Sequence, residues 1–455
     1  MRATLDLWWL LRRRSSDSRD PQGLTNVLAI IAFAATTAIL LVVVGGVGAF
    51  LQRAGGWQGM TIGGIESGVD SYDVQYPVFA GIAALLLLIP LVTLGGAAAR
   101  LAVARRDARL ASLRLAGATT GQVATLTVLD AAAQALVGSL LGLVGYGALL
   151  PLVAQLRFQG RTFELSELWV GVPALLLAVV GVVLVALVSA AVSLRRVAIT
   201  PLGVAARVTP PAMKAVRLVS MGLAFVAMLV ATNVSFGSDA VAITILVLVL
   251  VAGFATLNVV GPFVIWVVGR VTASRAKGVP TLLAGRRIVD SPKTAWRSVG
   301  GVALATFIAG LTSIFALFEP GAGTDPVEVQ FLGDLTTGGF LTLAIAGVLA
   351  AVSTGVMQAG RVIDQRGEYR ALTLAGTDLR TLDKARLRET LIPLAASVGL
   401  ATTAALMFMA PIIGLNAFTN VDVVLQFLVC VAGASGLVLA GAAASRFVVR
   451  SAVAA

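Results

Sequence analysis

The chain contains no histidine and a single cysteine, Cys430, and only 12% of its 455 residues are charged. Without histidine it lacks the side chain that most often moves protons near neutral pH and commonly ligates zinc. No carboxylates are spaced as metal ligands either, so no catalytic and no metal-binding residue is assigned. A lone cysteine cannot close an intrachain disulfide, and its place inside an apolar run suits a small buried side chain. The pattern Gly-x-x-x-x-Gly-Lys-(Ser/Thr) is also missing. The chain therefore has no phosphate-cradling loop of its own, and no cofactor is expected in it. Scarcity of charge excludes a further class. With 58% hydrophobic residues and a mean hydropathy of +0.95, the polar surface cannot cover a soluble particle of this size. The chain belongs in a membrane.

What is present is a series of apolar stretches, each near the roughly 20 residues that a helix needs to cross about 30 Å of hydrocarbon. Ten are read: Val27 to Phe50, Val78 to Ala99, Val123 to Gln155, Leu168 to Leu194, Val216 to Val234, Ala240 to Val268, Ser298 to Phe318, Phe340 to Gln358, Thr390 to Pro411 and Val421 to Ser445. Lys and Arg accumulate in loops that stay in the cytoplasm. With the N-terminus inside, 31 of the 34 basic residues fall on the inner side, and only Arg53, Arg157 and Arg161 fall outside. The outer segments instead collect acids, among them Glu164, Glu167, Asp325, Glu328 and Asp334. Both termini are therefore expected in the cytoplasm. The net charge of +12 becomes a topology signal, and because the basic residues are dispersed among the spans, no nucleic-acid partner is expected.

The opening "LDLWWLLRRR" puts its apolar run before its charges, the reverse of a cleaved signal. Leu5 to Leu11 reads as an interfacial helix under the inner leaflet, with a plain basic tail as the alternative. The longest outer loops are Leu51 to Pro77 and Glu319 to Gly339, too short for a large outer domain.

Two near-copies of a glycine-punctuated turn stand out: "LRLAGATTGQV" from Leu113 and "LTLAGTDLRTL" from Leu372. Setting Leu115-Ala116-Gly117 on Leu374-Ala375-Gly376 gives an offset of 259, under which Asp130 meets Glu389. The spans correspond as well, so the organisation reads as a segment 1–24, a four-span unit 25–207, a central pair of spans 208–275 and a second four-span unit 276–455. Each unit enters and leaves on the same side, so the two are parallel repeats. Each turn lies on the inner side between the second and third span of its unit. A helix bearing Arg109, Leu113, Arg114 and Leu115 is expected to stop near Gly117, with Thr119 or Thr120 as the cap of the next span. The second copy bears Glu368, Arg370, Leu372 and Leu374, stops at Gly376 and restarts on Thr377 or Asp378. The fold expected is an all-α polytopic membrane protein of about ten transmembrane helices arranged 4+2+4.

This pattern resembles the FtsX-like permease family, the membrane subunits of ABC transporters related to MacB, the lipoprotein-releasing systems and the bacitracin-export permeases. Arg105 to Val123 carries the closer likeness and Gln365 to Asp383 a looser one. "LRRVAITPLGVAARV", Leu194 to Val208, resembles the family's exit from the fourth span. The resemblance implies a permease subunit of the bacterial plasma membrane, driven by two copies of a separate cytoplasmic ABC ATPase that binds the ATP and Mg. It further implies that Arg109, Leu113, Arg114, Leu115, Gly117, Thr119, Glu368, Arg370, Leu372, Leu374, Gly376 and Asp378 form the two ATPase seats. The cargo expected is an amphipathic or lipophilic compound, such as a lipid, a peptide antibiotic or a drug. A regulator that passes ATPase motion to an envelope enzyme or lipoprotein, and a secondary transporter, are the alternatives. Asp130 and Glu389 are inner-membrane acids. Proton relay is one role for such residues, but their nearness to the turns and the absence of further ionisable steps favour a structural or coupling role.

Overall fold

A computed structural model of the chain describes residues 21–56, 75–104, 119–198, 239–313, 325–364, 374–413 and 420–453, with isolated positions at 222, 226 and 371. The elements follow in the order α1 (Pro21–Arg53), α2 (Gln75–Ala104), α3 (Thr120–Ala154), β1 (Arg157–Phe158), β2 (Arg161–Thr162), α4 (Leu165–Leu168), α5 (Gly171–Ala198), α6 (Asp239–Ser274), α7 (Val279–Asp290), α8 (Pro292–Ser313), α9 (Pro326–Asp364), α10 (Leu379–Ile413) and α11 (Val421–Val453). Among the described residues, nine helical stretches are long and apolar enough to cross a membrane: α1, α2, α3, α4 with α5, α6, α8, α9, α10 and α11. The protein is a multi-pass, all-α membrane protein. In hydrocarbon a helix satisfies every backbone N–H and C=O within its own segment, which is why apolar sequence takes this form. Nine of the ten expected spans fall on these helices. The fifth, Val216 to Val234, lies outside the described residues apart from positions 222 and 226, and so does the interfacial helix expected at Leu5 to Leu11.

Several helices outrun their apolar stretches. α9 begins at Pro326, well before the expected Phe340, so much of the supposed outer loop Glu319 to Gly339 is helix. Local chemistry explains the extension. Val327 N–H donates to Asp325 Oδ1 at 3.0 Å, proline holds the first helical position, and Glu328 sits in the first turn beside the positive end of the helix dipole. α10 likewise starts ahead of Thr390 and carries Arg380, Lys384, Arg386 and Arg388 on its first turns. The short helix α7, between two spans, was not expected.

α1 lies at the centre of a first bundle, against α2, α3 and α5, and α8 lies at the centre of a second, against α9, α10 and α11. Small residues set the approach. A Cβ on Gly138 would stand 2.5 Å from Phe33 Cβ, and one on Gly142 would stand 2.6 Å from Thr37 Cβ and 2.7 Å from the Ala34 carbonyl oxygen. This is the small-xxx-small spacing that lets membrane helices touch backbone to backbone. Gly142→Leu is therefore expected to force α1 from α3 at a cost of about 1–3 kcal/mol. Thermal unfolding in detergent should show the loss, with Gly147→Leu, where nothing lies within 4 Å, as the unaffected control.

The two bundles meet where α9 packs on α2 and α1. One continuous core crosses this seam, with Phe33, Leu87, Leu91 and Leu94 on one side and Phe307, Leu343, Ala346 and Leu349 on the other. α6 leans on the second bundle through α7, α8 and α10. There Gly261 accommodates the Trp296 ring, and Phe254 meets Phe307 with ring centroids 5.9 Å apart. α5 and α11 are peripheral. Leu176, Leu177, Leu184 and Val188 on the first, and Leu425, Leu428 and Val429 on the second, are exposed as lipid-facing side chains.

Candidate coupling face and outer clasp

The ends of the spans define two faces. One carries the starts of α3, α8 and α10 and the ends of α6 and α9, and will be called the turn face. The other carries the β-hairpin.

At the turn face Thr119 caps α3. Its Oγ1 accepts from Gln122 N–H at 3.3 Å while Gln122 Oε1 accepts from Thr119 N–H at 3.0 Å, a reciprocal capping box. Asp378 does the same work for α10, its Oδ1 accepting from Arg380 N–H at 3.3 Å. Of the paired candidates Thr119 or Thr120, and Thr377 or Asp378, the caps are thus Thr119 and Asp378. Both α3 and α10 run for 35 residues, and the start and end of one lie 259 positions from those of the other, the offset of the two turns. Gly376 has φ +87°, the left-handed conformation that stops a helix at little cost only in glycine. Leu374, two residues earlier, is 83% exposed, the most of any described large apolar side chain. Arg109, Leu113, Arg114, Leu115, Gly117, Glu368, Arg370 and Leu372 lie outside the described residues.

Asp130 and Glu389 are each the eleventh residue of their helices, α3 and α10. Both are half-buried. Glu389 Oε2 lies 3.5 Å from Arg287 Nη1 on α7, and neither side chain is more than 13% exposed. Its neighbours extend the attachment. Arg388 donates to Thr281 Oγ1 of α7, and Thr390 Oγ1 accepts from Gln358 Nε2 of α9 at 2.9 Å. Three consecutive residues of α10 therefore hold α7 and α9.

The hairpin face holds an arrangement that no sequence motif singles out. Gln159 and Gly160 have φ of 55° and 73°, the two left-handed residues of a tight hairpin turn, and they bring Arg157 opposite Thr162 and Phe158 opposite Arg161. Arg53, at the end of α1, runs under this hairpin with its side chain only 3% exposed. Its Nε and Nη2 donate to the two carboxylate oxygens of Glu167 at 3.0 and 2.7 Å. Nη1 donates to the Phe158 carbonyl and to Gln159 Oε1, and Nη2 also to the Thr162 carbonyl. The guanidinium stands 4.3 Å from the centroid of the Phe163 ring. Glu167 is filled in turn by Arg161 at 2.9 Å and by Glu164 N–H at 3.0 Å.

The clasp also reaches across the seam. Asp334 Oδ2 on α9 accepts from Gln159 N–H at 2.6 Å and from Tyr76 Oη at 2.7 Å. Phe50, Tyr76, Phe158, Phe163 and Phe331 pack around these bonds, the Tyr76 and Phe331 rings meeting edge to face at 5.2 Å. Beside the clasp, Gly147, Leu150, Pro151, Leu165, Ser166 and Trp169 line an open apolar hollow of about 440 Å³. Sequence reasoning had placed Arg53, Glu167 and Asp334 only as outer charges. Three of its basic residues standing alone on an acidic side were the available signal.

Residues 81–202 match the family described as FtsX-like permease C-terminal. The match takes in α3, the hairpin and α5, most of α2, and the first of the two turns. Neither a curated protein nor a solved structure matches the chain.

Proposed function

We propose that this chain is an FtsX-like permease, a transporter membrane subunit, that is driven by a separate ABC ATPase and moves amphipathic, membrane-partitioned compounds by mechanical coupling. Two copies of the ATPase would sit on the turn face, one at each turn. The observation that carries this is Leu374. A leucine on the turn just before the cap of a span is 83% exposed, and an exposed apolar side chain flanked by charge is what a partner's groove takes as an anchor. The equal lengths and the 259-residue displacement of α3 and α10 support a second, equivalent seat around Leu115. They likewise support the two-unit, parallel-repeat organisation.

The turn face is the cytoplasmic one in this proposal, because the basic residues collect there and the hairpin face keeps Arg53, Arg157 and Arg161. ATP-driven closure would move the starts of α3 and α10. Glu389, paired with Arg287, belongs to the transmission, along with Arg388 and Thr390, and Asp130 holds the corresponding place on α3. The apolar hollow beside Trp169 and the lipid-facing walls of α3 and α5 suit a cargo that enters from the bilayer.

The test is to purify the chain from its native membranes through a tag on the chain alone, identify the ABC ATPase that co-purifies, and measure ATP turnover in nanodiscs. Two ATPase copies per chain, with turnover raised by a lipophilic cargo, is the expected result. A chain that purifies without ATPase, and that carries cargo under an ion gradient alone, would overturn the proposal in favour of secondary transport.

A further inference from the structure

We infer that α7 and the cations around it form a binding surface for the head groups of anionic phospholipids in the leaflet at the turn face. The inference rests on the chain's crossing the membrane and is independent of any ATPase. α7 joins two spans, α6 and α8, over short connections, so it is held at the level of the membrane surface. One side of it is fixed. Ala284, Gly285 and Ile288 are buried, and a Cβ on Gly285 would stand 2.7 Å from the backbone nitrogen of Ala273 on α6. Arg287 and Thr281 tie the same helix to α10.

Among the described residues, the opposite side is uncovered. Val279 and Leu282 are 59% and 41% exposed, and Arg286, one turn beyond Leu282, is exposed with them. These positions share a side of the helix. Arg275, Lys277, Lys293 and Arg297 are exposed around it, and none of these five cations forms an ion pair with a described residue. Between residues 270 and 297 the sole acid is Asp290. Glu389 of α10, which meets α7, is already held by Arg287.

An apolar edge bordered by cations that have no ion-pair partner among the described residues fits a lipid surface: the valine and leucine enter the acyl boundary while long basic side chains rise to the phosphates. Arginine adds a planar fork that matches phosphate oxygens. Continuity with the lipid-facing wall decides between a lipid and a protein as the occupant. Val271, exposed at 43% near the end of the α6 span, stands one turn before Arg275, so the apolar strip of the span runs directly into the cations.

The experiment compares the purified chain in nanodiscs of phosphatidylcholine alone and of phosphatidylcholine with phosphatidylglycerol, by thermal unfolding and by native mass spectrometry of retained lipid. Wild type should unfold at a higher temperature with phosphatidylglycerol and keep it bound. The triple variant Arg286→Gln, Lys293→Gln, Arg297→Gln should retain about tenfold less of it or lower, lose the stabilisation, and match wild type in phosphatidylcholine. Arg275→Gln with Lys277→Gln, confined to the α6–α7 connection, should show the same direction should the triple variant fail to fold. Undiminished phosphatidylglycerol retention in these variants would overturn the inference. So would variants that keep the lipid response and instead lose co-purified ATPase, since the surface would then be a protein seat.

Discussion

Glu167→Ala is expected to destabilise the protein strongly, and more than Arg53→Ala. The two substitutions break the same pair but leave different remainders. Without Glu167, the Arg53 guanidinium stays 3% exposed with only the Phe158 and Thr162 carbonyls, Gln159 Oε1 and the Phe163 ring about it. A buried cation is then left without a counter-charge, which costs about 3–5 kcal/mol. The Glu164 N–H that Glu167 caps is stranded as well. Without Arg53, the carboxylate keeps Arg161, whose side chain is 55% exposed and meets it at 2.9 Å. That residual pair is close to solvent, and it softens the loss. Replacing both buried partners by apolar residues, Arg53→Met with Glu167→Leu, should recover much of the stability, because neither desolvated charge remains. Thermal unfolding in nanodiscs, followed by tryptophan fluorescence, measures all three. Equal midpoints for Glu167→Ala and wild type would show that the aromatic cluster alone holds the hairpin.

Legibility in the sequence followed the range of the interactions. Spans are local in composition, and the described ones were legible at the level of residues 27 to 50 or 421 to 445. Caps are local in chemistry: Thr119 with Gln122 three residues on, Asp378 before Leu379, and glycine at 376 are each contained within one turn of chain. The clasp is not local. Arg53 and Glu167 are 114 positions apart, and Gln159 and Asp334 are 175 apart, so nothing in either neighbourhood announces the other. α7 was hidden for a different reason. Its twelve residues average little hydropathy because Arg286 and Arg287 stand together between the buried Gly285 and Ile288, and a search for spans passes over an amphipathic helix of that length. The early start of α9 was missed because hydropathy ends where the capping signal Asp325-Pro326 takes over.

The second large effect is expected at the turn face. Leu374→Ala removes a side chain that contributes almost nothing to the fold of the chain itself, being 83% exposed, so the variant should insert and unfold as wild type does. If Leu374 is an anchor for the ATPase, its truncation costs about 2 kcal/mol or more at that seat, roughly a thirtyfold loss of affinity. By the 259-residue offset, Leu115 would then be the anchor of the other seat. Each single variant should therefore keep one ATPase and part of the turnover, and Leu115→Ala with Leu374→Ala should lose both. If Leu113 and Leu372, two residues nearer the N-terminus in each copy, serve the same seats, their joint truncation should act in the same direction. Co-purification of the ATPase, with ATP turnover in nanodiscs, separates these outcomes from a folding defect, because thermal unfolding of the chain alone supplies the control. A double variant that binds and drives its ATPase like wild type would leave the two turns as plain connections between spans, made basic only by the side of the membrane on which they lie.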